Sequence, residues 1–195
     1  MKISKPLYYI LNCTWGILMT AVGGVVALAL IIAGYKPKRH AGSIYFNVGK
    51  SWGGAELGLF FLTDEHDAVS VKNHEFGHSL QNCLWGPLMP FVVCLPSAAR
   101  YWVREFKSRK LKENFALTLM GVACSIILIL TSIAVVLQLE WVLFLMLGIF
   151  MYTAVLTYWL LYDEIPKYDK GDVPYDSVWF EGQATEWGTK IAEEW

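Results

Sequence analysis

Charge of either sign is scarce in this sequence. Sixteen Lys and Arg stand against seventeen Asp and Glu in 195 residues, a formal net charge of −1, so the composition makes no case for a nucleic-acid partner. Cysteine is sparse as well. Cys13, Cys83, Cys94 and Cys124 lie in apolar surroundings and form no C-x-x-C pair, which argues against a disulfide framework or a zinc ribbon and for small buried hydrophobes. Polar surface is what the chain lacks most. With 55% apolar residues, 15% aromatics and a mean hydropathy of +0.41, it exceeds what a soluble domain carries, and we read a single membrane-embedded domain over 1–195, mainly α.

Histidine is rare too, and its placement is informative. Of His40, His66, His74 and His78, two fall within His74-Glu75-Phe76-Gly77-His78. On a helix over residues 71–81 the two imidazoles stand at i and i+4, one turn apart on one face, where both reach a single metal ion. Glu75 then lies beside that ion, placed to take a proton from water and pass it to a leaving group. Zn²⁺ is the expected cofactor, with Glu75 catalytic and His74 and His78 as ligands.

Along the chain, residues 7–35 are free of charge and long enough to span a bilayer as one helix. The run is too long for the apolar region of a signal peptide, so an uncleaved anchor is expected. Lys36, Lys38 and Arg39 give it a basic flank. Residues 42–63 alternate around a Gly-rich turn and read as a hairpin that covers the metal helix, with a second possible role as an edge strand for an extended peptide. The polar loop 63–67 leads into the metal helix, with Asp67 or Ser70 as its cap. Three prolines between residues 84 and 97 argue for a re-entrant or interfacial segment. Basic residues 100–112 read as a loop on anionic headgroups. Two further spans, 115–137 and 141–162, form a transmembrane hairpin; residues 163–176 read as loop, and 178–195 as helix.

A catalytic zinc takes three protein ligands and one open position, so a Glu, Asp or His from elsewhere completes the set. The hairpin returns the chain to the side it left, which keeps the tail on the face of the residues before 115. In that tail, Glu181-Gly182-Gln183-Ala184-Thr185 follows the H-E-x-x-H helix, and here the chain resembles the gluzincin metallopeptidases, most of all their membrane-bound branch, the CAAX prenyl protease and heat-shock membrane protease type. That family pairs H-E-x-x-H with a later E-x-x-A-D helix. The resemblance implies that Glu181 is the third ligand, with Ala184 in register and Thr185 where the family has Asp, so that orientation of a ligating His would rest on a weaker hydroxyl. Glu186 is the reserve ligand. The span 73–97 is also similar to small uncharacterised bacterial proteins carrying H-E-Y-G-H and G-P-L-Y.

The reading that follows is a zinc-dependent metallopeptidase held by about three transmembrane helices. Its expected partners are the lipid bilayer and a peptide or protein substrate. Most cationic residues fall on the side of the metal helix, so a bacterial inner membrane with a cytoplasm-facing site is expected. His66, Tyr168 and Tyr175 are candidates for the oxyanion donor. A site-2-type enzyme with its zinc inside the bilayer is disfavoured by the polar residues 64–73. Two rivals stand beside it: a non-catalytic metal-binding scaffold or immunity-type protein, and a zinc-dependent membrane lipid hydrolase.

Overall fold

A computed structural model of the chain describes residues 2–171 and 173–195. It is mainly helical with one small sheet. The chain divides into two compact units, one of residues up to 95 together with 174–195, the other of residues 96–173.

The first unit begins with α1 (Lys5–Cys13), which has a proline in its first turn where no amide partner is needed, and α2 (Ile17–Ile32). These correct the expectation of one helix over 7–35: the pair is bent by 86°. The break has a tertiary cause. Asn82 Nδ2 donates to the Gly16 carbonyl (3.0 Å) and to Asn12 Oδ1 (2.7 Å), and Trp15 Nε1 donates to the Leu84 carbonyl (3.2 Å). Backbone polarity at the break is thereby satisfied by the neighbouring helix.

The expected hairpin over 42–63 is in fact a four-stranded sheet. Strands β1 (Lys38–His40), β2 (Ser43–Asn47), β3 (Gly54–Leu57) and β4 (Phe60–Thr63) lie in the order β1-β2-β4-β3. The stretch 55–62 folds back on itself at Gly58 (φ +74°), so β3 pairs antiparallel with β4, while β2 and β4 run parallel in the register Ile44–Phe60. Strand β3 is left as an edge.

Helix α3 (Val69–Trp85) crosses this sheet and packs on α8 (Trp179–Glu194). Its N-cap is Ala68, with no side-chain cap. Asp67, expected as a cap, instead pairs with Lys38 and Lys72 at 3.3 Å each. Tyr8, Phe76, Leu80, Cys83 and Ile191 form the core. Tyr8 carries its hydroxyl into it by bonding Ser43 Oγ (2.7 Å) and Ser79 Oγ (2.6 Å), as a buried phenol requires. After Trp85 the chain continues as a 3₁₀ turn (Gly86–Leu88), bends, and goes on as a π-helical turn (Pro90–Cys94). No regular spanning helix occupies 84–97. Of the cysteines only Cys83 is buried, and Cys13 is exposed.

The second unit holds α4 (Leu95–Glu105), α5 (Arg109–Leu137), α6 (Trp141–Trp159) and α7 (Ile165–Lys170). Ser108 caps α5 by accepting from the Leu111 amide. A π-helical turn (Leu160–Glu164) joins α6 to α7, so residues expected as loop are helical to Lys170. Pro166 is tolerated because it falls in the first turn of α7. Arg109–Leu137 and Trp141–Lys170 are each long and apolar enough to cross a membrane; up to four spans result if the bent pairs Lys5–Cys13 with Ile17–Ile32 and Val69–Leu88 with Pro90–Glu105 each count as one.

Candidate metal centre

The site is built where α3 and α8 cross. A Cβ on Gly77 would overlap the Ala184 carbonyl, so only glycine there lets the backbones approach this closely. On α8, Glu181, Ala184 and Thr185 lie on one face, and that face meets the face of α3 bearing His74 and His78.

The structure brings together His74, His78 and Glu181. Glu181 Oε2 lies 3.1 Å from His74 Nε2 and 3.2 Å from His78 Nε2, and the two ring nitrogens are 3.0 Å apart. A tetrahedral ion with bonds of about 2.0–2.1 Å separates its ligand atoms by roughly 3.3 Å, so the donor set fits a small cation. A second observation agrees. Glu181 is fully buried, and its Oε1 has no hydrogen-bond partner, an arrangement that costs free energy unless a cation compensates it.

The far side of each imidazole is fixed. Gln81 Nε2 donates to the Phe180 carbonyl (2.7 Å) and to Gln183 Oε1 (3.1 Å), which turns its Oε1 towards His78 Nδ1 at 2.8 Å. His78 Nδ1–H therefore donates to Gln81. His74 Nδ1 lies 2.9 Å from Thr185 Oγ1, and donating there leaves Nε2 for a ligand position. The group that meets the far side of His74 is thus a hydroxyl and not a carboxylate. Gln81 was not foreseen; its spacing of three residues from His78, one turn on the same face, was the available signal.

Electrostatics follow from burial. Burial works to lower the His78 pKa, but the hydrogen bond and charge of Glu181 raise it to about 9. Burial works to raise Glu181, and its hydrogen bonds with His74 and His78 hold it well below the usual carboxylate range. Glu75 is buried beside them, and burial raises its pKa against the opposing influence of His74 and His78. It lies under edge strand β3, where a Cβ on Gly54 would stand 2.6 Å from Glu75 Oε1. Glu56, two residues along and on the same strand face, is buried, accepts from the Gly58 amide, and is pushed up to about 8 by burial. A lone acid in an apolar alternating strand was its only trace in the sequence.

The remaining candidates separate. Glu186 is exposed on α8, away from the cluster. His66 is bonded to Ser51 at 2.9 Å on the surface. Tyr168 belongs to the second unit, where it donates to Glu164 (3.3 Å). Tyr175 stands next to the site, its ring 5.5 Å from that of His74. No protein-family model, curated protein or solved structure matches this chain.

Proposed function

We propose that the chain is a membrane-embedded, zinc-dependent metallopeptidase of gluzincin type, with its site on the cytoplasmic face of a bacterial inner membrane. The observation that carries this reading is the convergence of His74, His78 and Glu181 around a buried, unpartnered carboxylate oxygen, with Glu75 alongside. His74, His78 and Glu181 would hold a zinc ion, which when bound would supply Lewis acidity and lower the pKa of a water towards roughly 7. Gln81 and Thr185 orient the imidazoles. Glu75 accepts the proton of the attacking water and returns it to the departing amine. The outer edge of β3 pairs with the backbone of an extended peptide above Glu75, and Tyr175, whose ring lies 5.5 Å from that of His74, is the candidate donor to developing negative charge.

The test begins with metal content per chain, by mass spectrometry after loosely bound ions are removed. About one zinc is expected in the wild type and none in His78→Ala or Glu181→Ala. Glu75→Gln is expected to keep its zinc and lose about 10²–10⁴ of its activity on labelled peptides. Wild-type protein without stoichiometric metal overturns the reading. Zinc-loaded protein that cleaves labelled lipids in place of peptides transfers it to a lipid hydrolase, and zinc-loaded protein inert towards both makes it a metal-binding scaffold.

A further inference from the structure

The second unit carries a cluster of cations that the peptidase reading does not use. Arg100 Nε donates to Glu164 Oε2 (2.8 Å), and Lys167 Nζ reaches Glu164 Oε1 (3.0 Å) and Asp163. Those two charges are matched. Lys112 is not. It is 7% exposed, its ammonium stands 4.8 Å from the centre of the Tyr168 ring, and among the described residues no carboxylate lies within ion-pair distance of it. Arg104 approaches the same ring, its guanidinium carbon 6.0 Å from the centre. Tyr168 is held in place by donating to Glu164. A ring face offsets only part of the cost of taking an ammonium out of water, so among the described residues the ammonium keeps a charge that an external anion would match.

Position says which one. Lys112 lies in the first turns of α5, at its positive dipole end. Phe115, where the apolar run of that helix begins, is three residues on, about 4.5 Å along the axis. Trp102, Tyr158 and Tyr162 are exposed aromatics of the same unit, the residues that sit at the membrane–water boundary. The group therefore lies at headgroup depth. We propose that Lys112, packed on the Tyr168 ring that Arg104 also approaches, binds the phosphate of an anionic phospholipid. This rests on α5 and α6 spanning a membrane, as the proposed function has it.

Native mass spectrometry in detergent, with phosphatidylglycerol or phosphatidylcholine added, tests it. One phosphatidylglycerol retained per wild-type chain, without matching retention of phosphatidylcholine, is the expected result. Lys112→Gln should weaken that retention about fivefold or more, Lys112→Arg should preserve it, and Lys110→Gln, which removes an exposed charge from the same stretch, should leave it unchanged. Equal losses in Lys112→Gln and Lys110→Gln would reduce the effect to diffuse charge and overturn the site. Equal retention of both lipids by wild type overturns it without any variant, and full displacement by inorganic phosphate would assign the site to the free anion. Alkaline carbonate extraction separates the two readings: a chain released from membranes refutes the spanning helices, whereas a membrane-retained chain without bound lipid refutes only this inference.

Discussion

Each unit buries a carboxylate among basic side chains, and the two clusters differ in how they close. In the second unit both oxygens of fully buried Glu164 are satisfied: Arg100 and Tyr168 donate to Oε2, and Lys167 to Oε1. In the first unit Glu181 is just as buried, yet Oε2 alone faces both imidazoles and Oε1 has no partner. The second-unit pair has every carboxylate oxygen hydrogen-bonded, the condition under which a buried pair repays its desolvation. A donor set whose atoms converge on one point, with a carboxylate oxygen left over, could hold a cation.

The comparison can be broken experimentally. Arg100→Ala leaves Glu164 without its main partner and is expected to cost about 3–5 kcal/mol, read as a lowered thermal midpoint, with metal content unchanged; loss of metal in this variant would show that the clusters are not independent. Next is Glu56. Its folded-state pKa is raised from 4.5 to about 8, so wild-type stability is full below about pH 4.5 and falls as pH rises through about 8. In chelator-treated protein, Glu56→Gln should therefore match the wild type at low pH and exceed it progressively, by on the order of a few kcal/mol at pH 8. A constant difference across that range would place the ionisation elsewhere.

Gly77→Ala sharpens the role of the helix crossing. It forces α3 from α8 at the Ala184 carbonyl and is expected to cost about 1–3 kcal/mol, weakening metal binding along with the thermal midpoint. The smallest effect belongs to Thr185→Val. Removing the hydroxyl that fixes His74 should weaken zinc affinity about 10–100-fold in a chelator competition, with little change in the thermal midpoint of stripped protein. Thr185→Asp is expected to move affinity the other way.

The parts of this protein that follow from local periodicity were legible early. His74 and His78 at i and i+4, and Glu181, Ala184 and Thr185 on one helical face, need only 3.6 residues per turn. The apolar runs of α5 and α6 declare themselves by length and hydropathy. Other features depend on contacts that local pattern does not show. Residues 55–62 look like one continuous strand because both faces are apolar, and the reversal at Gly58 shows only once α3 and α2 cover the two strands. The break between α1 and α2 carries no proline and no charge, and hydrogen bonds from Asn82 and Trp15 create it.

Sequence alone thus determined which side chains share a helical face, His74 with His78 and Glu181 with Thr185, since spacing along a helix is a local property. Only the tertiary structure decided that Glu181 and not Glu186 meets the histidines, that Gln81 and Thr185 hold their rings, and that β3 forms the edge above Glu75. Those choices depend on how closely two helices approach at Gly77 and on a sheet order that mixes parallel and antiparallel pairs. Both are set by contacts between residues far apart in the chain, which no local pattern encodes.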